Sequence, residues 1–279
     1  MRFATLFTIG LLALTGCSGG DKGGGSTSTS ASGDTNGCAN GSALAGATYD
    51  LSKSRFAFGS APVETKNGNL DRFVGSDGVV AITTLGDAQG IMNAGAPESQ
   101  LPDWSTDGAA LTAHVSAYFA SMGVDACQIA RTNIFGSAGG GGASDGSSTT
   151  VAPSHQAVVF TRGIEGILVA ESNASAQVNN ADQSVSESLF WPTIPADVVT
   201  AAKGFQSALA APGALTAFKA KLRSDAQGDG AIVIHHSSGI SQSGSIEAVA
   251  TYDVQQVNSF GDGASLSFDS GGSPVTLPQ

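Results

Sequence analysis

Charge and aromatic rings are scarce in this chain. Asp, Glu, Lys and Arg make up 13% of its 279 residues, and Phe, Trp and Tyr 6%. A helical bundle or coiled coil carries far more charge on its solvent faces, so composition argues against those classes. Cations are scarcest: 12 Lys and Arg against 23 Asp and Glu leave a net charge of −11. So acidic a chain has no electrostatic footprint for nucleic acid or for adsorption to anionic lipid. HExxH and any close Cys–His cluster are missing, so no metal set or cofactor is expected. The apolar run Phe3 to Leu14 is too short to cross a bilayer. What is abundant is Gly, at 38 residues, together with Ser, Thr and Ala. That mixture points to a secreted, β-rich α+β protein with long loops.

The N-terminus has a recognisable order of parts. Arg2 supplies a positive charge, Phe3 to Leu14 an apolar stretch, and Leu14-Thr15-Gly16-Cys17 small residues before a cysteine. This arrangement resembles the signal peptide and lipobox of bacterial lipoproteins. The resemblance implies removal of residues 1–16 and lipidation of Cys17, which becomes the first mature residue. It also implies a partner, the membrane, held through that lipid anchor. Ser18 at the next position resembles an outer-membrane signal. Ser18 to Gly37 is almost wholly Gly, Ser and Thr, too poor in apolar residues to offset ordering entropy. As a flexible coil, about 20 such residues reach roughly 25 Å. The expected division is therefore a signal at 1–16, a lipidated linker at 17–46 and one α+β domain at 47–279.

Cysteine parity follows from that compartment. Setting Cys17 aside leaves Cys38 and Cys127, an even pair in an oxidising environment. A bridge between them closes about 90 residues, a constraint of roughly 4 kcal/mol on the chain-entropy model. Two free thiols are the alternative.

Along the folded part, period-two apolar patterns predict strands at 54–58, 70–74 and 79–85, and residues 86–106 read as loop. Thr106-Asp107 precede an apolar stripe of Leu111, Val115, Tyr118, Phe119 and Met122, which predicts a helix ended by Gly123. A strand over 127–135 and the Gly-rich connection 136–150 follow. Strands at 156–162, 164–170, 174–178 and 185–190 form an antiparallel meander. Pro195 opens a helix bearing Val198, Ala202, Phe205 and Leu209, and Pro212-Gly213 separates it from a second. Strands at 231–235, 246–254 and 266–268 close the chain. The expected fold class is α+β, an antiparallel sheet with helices on one face, in two helix-then-meander units at 108–190 and 195–268. The helix at 108–122, with Val158-Val159-Phe160-Thr161-Arg162, Gly166-Ile167-Leu168-Val169 and Asn179-Asn180-Ala181-Asp182, resembles the PepSY and fungalysin/thermolysin propeptide modules. Those modules are not catalytic, so the resemblance transfers no catalytic residue.

No motif carries a complete chemistry. His235-His236 is the one histidine pair, and neighbours on a strand face opposite ways, so they do not share a metal. Gly239-Ile240-Ser241-Gln242-Ser243 lacks the last glycine of a nucleophile elbow. Asp225, Gln227 and Asp229 match the first ligands of a calcium loop with Gly230 at the sixth position, but His236 stands where the closing Glu belongs. Glu165, Glu171 and Glu187 lie on the central meander, where a glycosidase-like pair needs two neighbouring carboxylates. The reading that follows is a lipid-anchored protein of the cell envelope whose domain binds an envelope protein or ligand without catalysis. A secreted hydrolase with an unrecognised site and a structural spacer are the alternatives.

Overall fold

The computed structural model describes residues 45–47, 63–67, 70–74, 80–84, 92–95, 107–137, 140–142, 148–150, 155–178, 184–237, 246–257 and 263–278. Cys17, Cys38, the linker, the strand expected at 54–58 and Ser241 lie outside them. The class is α+β, with three α-helices among the described residues against one large sheet that is mostly antiparallel.

Four strands come first: β1 (Val63–Asn67), β2 (Leu70–Val74), β3 (Val80–Thr84) and β4 (Met92–Gly95). β1 was not anticipated, and β4 falls inside the stretch read as loop. Four residues give too short a pattern for period-two counting, and pairing with β3 on one side and β10 on the other decides the matter.

Helix α1 (Gly108–Ala120) starts where Asp107 accepts a 2.9 Å hydrogen bond from the Ala110 amide. It ends before Gly123, whose φ is +92°. An isolated helix of this length is marginal. Packing holds it: Leu111, Val115, Tyr118 and Phe119 are fully buried, each side chain worth about 1.5–3 kcal/mol.

A 3-10 turn at Ala126–Gln128 leads into β5 (Ile129–Ser137). A small ladder of β6 (Gly140–Gly142) and β7 (Ser148–Thr150) extends the β5 hairpin before β8 (His155–Ile164). Then come β9 (Ile167–Val178) and β10 (Ser184–Phe190). Helices α2 (Ala196–Ala210) and α3 (Ala214–Lys219) precede β11 (Gly230–His236), β12 (Ala248–Val257) and β13 (Gly263–Phe268).

The expected strands 164–170 and 174–178 are one strand, β9, and the sheet branches there. One edge of β9 pairs with β8. Its other edge is shared: residues 168–169 pair in parallel with β11, and residues 173–178 pair antiparallel with β10. β10 and β11 thus arrive head to head. The sheet has three arms, β5-β8, β10-β4-β3-β2-β1 and β11-β12-β13. The parallel β9-β11 pair departs from the all-antiparallel sheet expected.

All three helices cover one face. On β8, Val158 and Phe160 pack under α1, and Ile164, of the same parity, packs with Val199 and Ala202 of α2. Arg162 stands between them on that face, fully buried, and joins the two halves. Its Nε donates to Gln128 at 2.9 Å and its Nη1 to the Pro192 carbonyl at 2.5 Å, with the Trp191 ring 5.3 Å from the guanidinium carbon. Phe205, Phe218, Tyr252 and Phe268 form the third core cluster under α2 and α3.

Candidate functional site

The site lies at the branch. Between the register pairs Thr161↔Asn173 and Gly163↔Leu168, β8 spends one residue and β9 spends four, 169–172. β9 therefore bulges at Glu171-Ser172, which switches the inward parity from Ile167 and Val169 to Ser172, Ala174, Ala176 and Val178. His235-His236 ends β11 opposite this bulge. Each neighbour in one pair meets a neighbour in the other, on opposite faces of the sheet.

On the face away from the helices, His235 is held at both ring nitrogens. Nδ1 donates to Glu171 Oε1 at 2.8 Å and Nε2 to Asp253 Oδ2 at 2.7 Å. Two carboxylate acceptors require two N–H groups, so the ring is an imidazolium. Burial alone lowers its pKa, but the bonds to Asp253 and Glu171 override this and raise it to about 9. Both carboxyls shift the other way. Burial pushes Glu171 up, yet His235 and the His236 main-chain amide, which donates to Oε2 at 2.9 Å, hold it below its ordinary value. For Asp253 too, burial raises and the bonds from His235 and Thr251 lower, with a net decrease. Thr251 Oγ1 donates to Asp253 Oδ1 at 2.7 Å. All four carboxylate oxygens are thereby engaged, and the cluster bears one net negative charge.

On the helix-covered face, His236 is completely buried. Its Nδ1 donates to the Ser237 carbonyl at 2.9 Å, which leaves Nε2 bare to accept the Ser172 hydroxyl at 2.9 Å. The Phe190 ring meets it edge-on at 5.0 Å. Burial lowers the pKa of His236, so this ring is neutral. Ser172 and His236 have the contacts of a nucleophile and its base, with a carbonyl in the orienting position. Both residues are fully buried.

The other candidates do not converge on this site. Glu187 is buried on the helix side and accepts from Tyr118 Oη at 2.6 Å. Glu165 occupies the β8-β9 turn at φ +49° and pairs with Lys203. Glu171 faces the opposite side, so the three meander carboxylates form no pair. Asp225 is bound by Arg223 at 2.8 Å and Asp229 by Lys219 at 2.9 Å. Among the described residues no three His, Cys, Asp or Glu side chains are grouped to hold a metal. The bridge expected between Cys38 and Cys127 involves Cys38, which lies outside the described residues. Sequence reasoning singled out His235, His236 and Glu171 but did not join them, and it missed Ser172 and Asp253. The signal was the broken alternation at Glu171-Ser172 beside an unbroken one in β12. Compared with protein-family models, curated proteins and solved structures, the chain matches none of them.

Proposed function

We propose that this is a lipid-anchored protein of the cell envelope, attached through Cys17, whose α+β domain binds a ligand or protein partner without catalysis. One observation carries the non-catalytic reading: both histidines at the branch are saturated. His235 has no ring nitrogen left to take a proton, and the basic nitrogen of His236 is sealed in with Ser172. General acid–base work needs a group within reach of a substrate proton. The anchor rests on Leu14-Thr15-Gly16-Cys17 after a short apolar run, and the same compartment supports pairing Cys38 with Cys127. Labelled fatty acid should enter the native protein and not Cys17→Ser. Crosslinking in the cell, followed by identification of what is captured, should yield a defined envelope partner. A hydrolase reading has one point in its favour, the Ser172–His236 contact. Turnover of an ester, peptide or glycoside panel that disappears in Ser172→Ala, with thermal unfolding unchanged, would replace the binding reading with that one.

A further inference from the structure

The β9 bulge sets three groups around one peptide bond, that between Glu171 and Ser172. Ser172 Oγ, fully buried, donates to His236 Nε2 at 2.9 Å. His236 Nδ1 donates to the Ser237 carbonyl at 2.9 Å, which fixes the ring with its basic nitrogen on the hydroxyl. Asn173 Nδ2 donates to the Glu171 carbonyl oxygen at 3.2 Å. That carbonyl belongs to the peptide whose nitrogen is Ser172's own, so only Cβ, Cα and N separate Oγ from the carbonyl carbon. A nucleophile, its base and a donor to the adjoining carbonyl oxygen are therefore held together. The acyl group within their reach is already inside with them, joined covalently, and needs no diffusion or docking.

We propose that the Glu171–Ser172 peptide is a self-processing site, at which Ser172 takes the Glu171 acyl group onto its hydroxyl and water then divides the chain. His236 Nε2 accepts the hydroxyl proton as Oγ adds to the Glu171 carbonyl carbon, which closes a hydroxyoxazolidine ring. Asn173 Nδ2 steadies the negative oxygen that forms. The C–N bond of the peptide then breaks, and the Ser172 nitrogen takes the proton back from the imidazolium. The Glu171 acyl group is now an ester on Ser172 Oγ. Water hydrolyses it to a Glu171 carboxyl group and restores the Ser172 hydroxyl beside a new N-terminal amine. One water is consumed, and no other reactant is required. Water approaches from the face away from the helices, where the Glu171 side chain is 29% exposed. The pairs Thr161↔Asn173 and Leu168↔Val233 each join one product to the other, so the sheet is nicked and stays assembled. The step asks nothing of an incoming molecule and stands apart from what the domain binds.

Freshly purified full chain, kept folded at neutral pH with and without hydroxylamine, tests this by intact mass and N-terminal sequencing. Two products should accumulate whose masses sum to the parent plus one water, with Ser172 as the new N-terminus. Hydroxylamine intercepts an ester, so it should speed the cut and leave a hydroxamate on Glu171. Ser172→Ala should abolish cleavage. Asn173→Ala should slow it by ~10-fold or more, as loss of a donor to a developing oxyanion does. The proposal is overturned if neither condition yields a Ser172 N-terminus, if urea-unfolded chain is cut as fast as folded chain, or if Ser172→Ala is still cut there. Should Ser172→Ala not fold, Asn173→Ala decides, because that side chain is only part-buried. An unchanged rate in Asn173→Ala then overturns the proposal.

Discussion

His235 and His236 are adjacent in one strand, share one carboxylate neighbour in Glu171, and are driven to opposite charge states. His235, between Glu171 and Asp253, is held protonated. His236, packed on Phe190 and given a hydroxyl and a carbonyl, is held neutral. Burial disfavours charge at both. What differs is the partner set, and the pleat that turns successive side chains to opposite faces decides which set each ring receives. A sheet only one strand thick thus keeps an ionic contact on one side and a neutral, apolar one on the other.

The comparison breaks most sharply at His235. His235→Ala leaves Glu171 and Asp253 facing each other without the cation, and removal of one partner from a buried ion pair costs about 3–5 kcal/mol. Urea unfolding should show a loss of that order. A loss below 1 kcal/mol would mean that the carboxylates are solvated well enough to do without the ring. His236→Ala should cost less, about 2 kcal/mol, since only a neutral hydroxyl contact and a ring contact are lost. Ser172→Ala isolates the hydroxyl at about 1 kcal/mol.

pH sharpens the same comparison, because the two rings pull in opposite directions. His235 holds its proton up to about pH 9 in the fold but only to 6.5 in the unfolded chain. Its contribution is full below pH 6.5 and fades as pH rises towards 9. His236 is kept neutral, so protonation of the unfolded chain below pH 6.5 draws stability away as pH falls. Each group changes stability by at most ~1.4 kcal/mol per pH unit. Stability measured from pH 5 to 9 should lose its alkaline decline in His235→Gln and part of its acid decline in His236→Gln. Unchanged limbs in both variants would remove the assignment of charge.

Much of the frame was legible. The stripe from Leu111 to Met122 marked α1, and the alternation over 246–254 marked β12, although Thr251, on the face opposite Tyr252 and Val254, is fully buried as well. The branch was not legible. The partners of His235 stand 64 residues before it and 18 after it, and nothing local specifies that β11 joins β9 in parallel. A bulge also mimics a strand end in sequence, which is why Val169 and Ala174 were assigned to separate strands. β4 failed for a different reason, its shortness. Glu187 shows the limit most plainly: the sequence reading grouped it with Glu165 and Glu171 on the meander, whereas it is buried and its partner Tyr118 belongs to a helix that sequence pattern cannot orient.

An open sheet drawn as a row of strands has two ends, but a branched one has three. Here β1, β5 and β13 each have one ladder partner among the described residues, so a chain that gains internal connectivity also gains a rim open to templated growth. At β13 the polypeptide deals with this itself. Pro274, which has no amide hydrogen to offer a new strand, bridges Phe268, and the Val275 amide takes the Ser267 carbonyl at 2.9 Å. β1 exposes Glu64 and Lys66 in an ion pair at 2.9 Å, and charges of that kind oppose edge-to-edge stacking. Shortening the chain before Ser273 or neutralising Lys66 would therefore leave the core intact and make the protein self-associate along a chosen rim.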